Sequence, residues 1–104
     1  SLTGFDCSGF IQALFRVHGI RLPRDAQRQA EEGRSVSREE VHEADLLFFK
    51  GSEKKGRTIT HVGLALGKDL FVDAGSYWPT SLDSRDPSYS QKRAENFILA
   101  RRIL

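Results

Sequence analysis

Cys7, His61 and Asp73 are the residue types from which a nucleophile, its base and an orienting carboxylate can be assembled. Cys7 is the single cysteine of the chain and stands at the start of a predicted helix. There the unpaired amide N–H groups and the positive end of the helix dipole favour thiolate, the attacking species in cysteine catalysis. A cysteine on an apolar stripe is also a common core residue, so position alone leaves both readings open. His61 opens an alternating segment whose same-face members, Gly63 and Ala65, are small enough to let another element approach. If Gly67, Lys68 and Asp69 form a three-residue turn, Gly63 faces Asp73 across the hairpin. Asp73 then becomes the diagonal neighbour of His61 on one face. A carboxylate there can hold one imidazole nitrogen and leave the other to the thiol. A turn one residue shorter or longer would send the two side chains to opposite faces.

These residues need elements to hold them. Cys7, Phe10, Ile11, Leu14, Phe15 and His18 follow the i, i+3, i+4 spacing of an amphipathic helix, with Asp6 as its expected N-cap and Gly19 as its stop. After a Leu22-Pro23 break, Asp25 to Glu32 reads as a short polar helix closed by Gly33, and Glu39 to Glu43 as a further helical turn. Leu46 to Phe49 is a short apolar strand, and Gly51 to Thr60 a charged loop. His61 to Leu66 and Leu70 to Ala74 form a predicted hairpin. Gly75 to Lys92 reads as loop and Phe97 to Ile103 as a last strand. Within that loop, Tyr77-Trp78-Pro79 could wall a cleft or cap the core. No internal repeat is present.

The chain has 104 residues, enough for one domain and too few for two. With 38% apolar and 29% charged residues it can build a core and a solvated surface. Its net charge of +2 comes from interspersed signs, which speaks against a nucleic-acid partner. A single cysteine excludes an intrachain disulfide, and no apolar run reaches the length of a membrane span. His18 and His42 read as structural, and Lys54, Lys55 and Arg57 as a solvated cluster. A zinc site built from Cys7, His61 and Asp73 would suit by ligand type, but no Cys-x-x-Cys or His-x-x-x-His spacing accompanies it. The expectation is no metal and no cofactor. The lack of any methionine suggests a piece cut from a longer product, whose other domains would then be partners.

Four segments, in order along the chain, resemble the NlpC-type cell-wall cysteine peptidases of the papain-like superfamily. Gly4-Phe5-Asp6-Cys7-Ser8-Gly9-Phe10 is similar to that family's nucleophile motif, and Gly19 to Arg24 to the segment after its helix. Ala44 to Phe49 resembles the strand before its histidine, and His61 to Gly67 the histidine strand; Phe71-Val72-Asp73-Ala74 falls at the third catalytic position. The resemblance implies an α+β, papain-like fold with the nucleophile helix packed on an antiparallel sheet, in one domain over residues 1–104. It implies a cysteine endopeptidase of peptidoglycan stem peptides, cutting between γ-D-glutamate and a diamino acid by a thiolate–imidazole mechanism. Cys7, His61 and Asp73 would be catalytic, and Asp6 and Ser8 would line the acyl-side pocket. It also implies a cell-envelope or secreted location. Two departures stand out: the third position is usually His rather than Asp, and the family's N-terminal helix and its substrate-binding tyrosine have no counterpart before Cys7. The second departure motivates an alternative, a wall-binding module that keeps the fold without turnover.

Overall fold

The computed structural model describes residues 4–54, 57–74 and 78–104, without the side chains of residues 4–6, 52–54, 57 and 58. Helix α1 spans Gly4–Val17. It buries Cys7, Ile11 and Phe15, whereas Phe10 is 40% exposed, so the apolar stripe is narrower than the periodicity suggests. Gly19, at φ +81°, ends the helix: its N–H donates to the Arg16 carbonyl and that of Ile20 to Phe15. This paired arrangement satisfies two terminal carbonyls and needs a left-handed residue at its centre, the conformation glycine adopts at no steric cost. At the other end the expectation is corrected. The helix begins at Gly4, so Asp6 lies inside the first turn rather than at the N-cap, and Cys7 is the fourth helical residue.

Helix α2 is only Ala26–Gln29, capped by Asp25, whose side chain accepts from the Arg28 amide. The polar stretch to Glu32 continues as turns, because its carbonyls are taken up by i+3 bonds. A 3₁₀ turn at Arg38–Glu40 stands where a turn of helix was expected. Six strands form one sheet in the order β1-β6-β2-β3-β4-β5, every adjacent pair antiparallel. They are β1 Arg34–Val36, β2 Leu46–Lys54, β3 Arg57–Ala65, β4 Leu70–Val72, β5 Thr80–Ser81 and β6 Phe97–Arg102. Of the expected loop from Gly51 to Thr60, residues 51–54 belong to β2 and 57–60 to β3, and 55 and 56 lie outside the described residues. Helix α3, Gln91–Asn96, falls partly in the other expected loop; Ser90 caps it by accepting from the Arg93 amide. Among the described residues no helix is long and apolar enough to cross a membrane.

Strand β2 explains why its sequence is a run and not an alternation. Leu46 and Phe48 face α1 in one core, Leu47 and Phe49 face Phe71, Ala100 and Val41 in another, and all four are fully buried. Between β3 and β4 the glycine at 63 has a steric reason: a Cβ built there would lie 2.5 Å from Cδ2 of the buried Phe71. Gly63→Ala is therefore expected to destabilise the fold by about 1–3 kcal/mol, measured by urea unfolding, because a fully buried ring cannot swing away.

At the start of β2, Asp45 is 1% exposed. It accepts from Arg102 Nε at 2.8 Å and Nη2 at 2.9 Å, and from the His42 amide at 2.9 Å. Burial pushes this carboxyl up, but those hydrogen bonds and the charge of Arg102 outweigh it and hold it below its ordinary 3.8. A folded value below the unfolded one means that this stabilisation is complete above about pH 4 and is lost as the pH falls through the folded value. Asp45→Asn should cost about 2 kcal/mol at pH 7. Urea unfolding at neutral and acid pH tests this, since the gap between the two proteins should close on acidification.

Candidate active site

The hairpin of β3 and β4 pairs Leu64 with Val72 and Ala65 with Phe71, and the Leu66 amide donates to Leu70. That is the register of a three-residue turn at Gly67, Lys68 and Asp69, and it puts Asp73 beside His61. Nε2 of His61 lies 2.9 Å from Oδ2 of Asp73, with the two side chains 9% and 8% exposed. An ionised carboxylate only accepts, so Nε2–H is the donor in this bond and Nδ1 is the nitrogen that Asp73 does not engage.

A β-bulge immediately precedes His61. Phe49 pairs with His61, but Lys50 pairs with Ile59, which leaves Thr60 as an extra residue on β3. The extra residue puts Ile59 and Val62, three apart, in the same core under α1. It breaks the face alternation at the residue before His61. The ring is steadied by Phe49, with centroids 5.7 Å apart. Across from it, α1 delivers Cys7, 1% exposed, in its first turn. One ligand atom each from Cys7, His61 and Asp73 all lie within 4.8 Å of one another. A thiol, an imidazole and a carboxylate separated by 54 and 12 positions in the chain are thus one cluster, and these are the residue types of a nucleophile, a base and an orienting acid.

The other sequence candidates fare differently. The side chain of Asp6 lies outside the described residues. Ser8 adjoins Cys7 but is fully buried, and its Oγ accepts from Arg24 Nη1 at 3.2 Å. Arg24 is the residue that sequence reasoning left without a role. Its guanidinium lies over Gly9, where a Cβ would come within 2.7 Å of Nη2. Buried Gln29 was missed as well: its Nε2 donates to the carbonyls of Ser8 and Pro23, tying the helix start to the segment that carries Arg24. A glutamine in a polar helical stretch gives no sequence sign of burial. Trp78 is 78% exposed and does not cap the core, while Tyr77 lies outside the described residues. His18 and His42 are exposed. Lys54 and Arg57 fall in β2 and β3, and Lys55, like their side chains, lies outside the described residues.

A helix presenting a thiol to a histidine on an antiparallel sheet defines an α+β domain built like a cysteine hydrolase. Residues 1–99 match the NlpC/P60 family, and the chain belongs to that family. Over 102 residues it is 39% identical to the murein DD-endopeptidase MepS/murein LD-carboxypeptidase of Escherichia coli K12, covering 97% of this chain and 50% of that protein. It is 48% identical over 64 residues to a γ-D-glutamyl-L-lysine dipeptidyl-peptidase of Bacillus subtilis 168, covering 62% of this chain and 21% of that one. In structure it is similar to an NLP/P60 family protein of Staphylococcus aureus Mu50, with TM-score 0.80 and 35% identity over 95% of this chain and 32% of the other. The chain spans half the length of the E. coli relative or less of the others.

Proposed function

We propose that the chain is a cysteine endopeptidase that hydrolyses an amide bond in peptidoglycan stem peptides, between γ-D-glutamate and a diamino acid, and that it acts in the cell envelope or outside the cell. The observation that carries this reading is the cluster itself: sulfur, imidazole and carboxylate within 4.8 Å of one another. The family and the names of its relatives supply the substrate class.

In this mechanism Nδ1 of His61 takes the Cys7 proton while Asp73 holds Nε2. The sulfur adds to the scissile carbonyl, and the developing oxyanion is met by the positive end of α1 and the Cys7 backbone N–H. The imidazolium returns its proton to the departing amine and leaves a thioester on Cys7. Water, deprotonated by the same imidazole, then releases the carboxylate product and restores the thiol. Asp6 and the Arg24 guanidinium form the acyl side, and Ser8, fully buried, contributes by bonding Arg24. A cation there suits the free α-carboxylate that a γ-linked glutamate presents.

A second choice of bond, the DD link between neighbouring stems, is favoured by the E. coli relative, whose match spans nearly all of this chain. One assay separates these readings: defined stem peptides carrying either bond are incubated with the protein and the fragments are read by mass spectrometry. Cleavage of the γ-D-glutamyl bond, absent in Cys7→Ala, is expected. Cleavage of the DD bond alone would replace the substrate. Peptide binding without any cleavage, unchanged by Cys7→Ala, would replace the enzyme with a binding module.

A further inference from the structure

We propose that the cleft at the C-terminal end of α1, lined by Gln12, Arg16, Arg21 and Leu22, binds a phosphate monoester. The cleft measures about 390 Å³, within the roughly 300–1,000 Å³ of small-molecule sites, so it has room for an organic group beside the phosphate. Cys7 and Arg16 stand nine positions apart on α1, which is about 14 Å of rise and roughly two and a half turns. The two side chains therefore leave the helix on opposite faces, and a ligand held by Arg16 does not touch the thiol. The proposal depends on neither the nucleophile nor the substrate argued above.

The charge of the cleft selects an anion. Arg38, Arg85 and Arg102 pair with Asp69, Asp83 and Asp45, whereas among the described residues neither Arg16 nor Arg21 has a carboxylate partner. Arg16 lies in the last turn of α1, where a cation offsets the negative end of the helix dipole. Arg21 lies beyond the helix and gains nothing from that end, yet the chain brings it to the same cleft. The backbone fixes this approach. Gly19 and Ile20 donate to the Arg16 and Phe15 carbonyls and reverse the chain, and Gln12 Nε2 donates to the Leu22 carbonyl at 3.0 Å. Two guanidinium charges outweigh the roughly half charge of the helix end, so the net field in the cleft is positive. A phosphate monoester carries about −1.5 to −2 charges at pH 7 and matches the pair, where a single carboxylate would leave one guanidinium unanswered. Leu22, 6% exposed, and Gln12 supply an apolar and an amide wall for the organic group of the ester.

The test is calorimetric titration of the chain with glycerol 3-phosphate at low salt, beside sedimentation with vesicles of phosphatidic acid in phosphatidylcholine. One ester per chain is expected, with affinity lowered about tenfold or more in Arg16→Gln and in Arg21→Gln and much less in Arg28→Gln. Arg28 is also exposed and carries the same charge, but it belongs to α2 and does not line the cleft. Wild-type urea midpoints in all three variants serve as the check on folding. Vesicle retention lost in both cleft variants identifies a lipid headgroup as a source that the site accepts. Glycerol 3-phosphate binding without vesicle retention identifies a free or polymer-borne ester instead. No binding in either experiment would overturn the proposal, as would binding undiminished in both cleft variants or weakened equally by Arg28→Gln. Neither measurement needs turnover, and the cleft variants should hydrolyse stem peptides at the wild-type rate, so the peptidase reading stands or falls separately.

Discussion

Replacing His61 by alanine is expected to lower kcat/KM for stem-peptide hydrolysis by about 10³-fold or more, and Cys7→Ala to leave no measurable turnover. The imidazole is asked to do three things in succession: remove the thiol proton, protonate the amine as it leaves, and activate water against the thioester. The other basic group of the cluster, Asp73, holds Nε2 of the ring and has no assigned contact with the thiol in this mechanism, so loss of His61 stops the cycle at the first step. The loss in kcat should exceed any change in KM, because the ring touches the reacting atoms and not the remote parts of the peptide. Its packing on Phe49 raises the question of folding. His61→Gln, which preserves bulk and polarity but cannot carry the proton, should be as inactive as His61→Ala while unfolding at the wild-type urea midpoint. Activity within tenfold of wild type in either variant would remove His61 from the mechanism.

Asp73→Ala is the second large effect, a fall of about 100-fold in kcat with little change in KM. The carboxylate does not reach the substrate in this account. It fixes the tautomer by accepting the Nε2 proton at 2.9 Å, so that Nδ1 is the nitrogen left for sulfur. Asp73→Asn separates orientation from charge. Its amide oxygen still accepts from Nε2–H, and an asparagine fills this role in papain-like sites. The substitution should therefore recover most of the activity lost in Asp73→Ala. Equal damage from both would mean that the negative charge itself is required. The kinetics of the two variants, with circular dichroism as the control for folding, decide between them.

The first helix and the β3–β4 hairpin were legible in the sequence for concrete reasons. The spacing of Cys7, Ile11 and Phe15 follows the helix period, and the three-residue turn at Gly67 links His61 to Asp73 by parity alone. The bulge at Thr60 was not legible, because an extra residue in a strand has no signature when its neighbours are Ile and Thr. Nor were β1 and β5, edge strands of three and two residues with too little length for a period. The helix start was misplaced because Asp6 is a good cap by type, whereas the helix already runs at Gly4. The NlpC/P60 family was recognisable from its motifs, and the chain matches it over residues 1–99. What the motifs could not convey is the support beneath them. Gln29 reaches the Ser8 carbonyl and Arg24 the Ser8 hydroxyl across 21 and 16 positions, contacts that exist only once the chain is folded.

The claim on which all of this turns is that the sulfur of Cys7 and the imidazole of His61 behave as one proton-sharing unit. The rate of Cys7 alkylation by iodoacetamide, followed from pH 4 to 10 in the wild-type protein and in His61→Gln, measures that most directly. The wild-type profile is expected to be high already well below the roughly 8.5 of an ordinary thiol, and the variant profile to move up toward that value. Two superimposable profiles, both rising near 8.5, would contradict the claim.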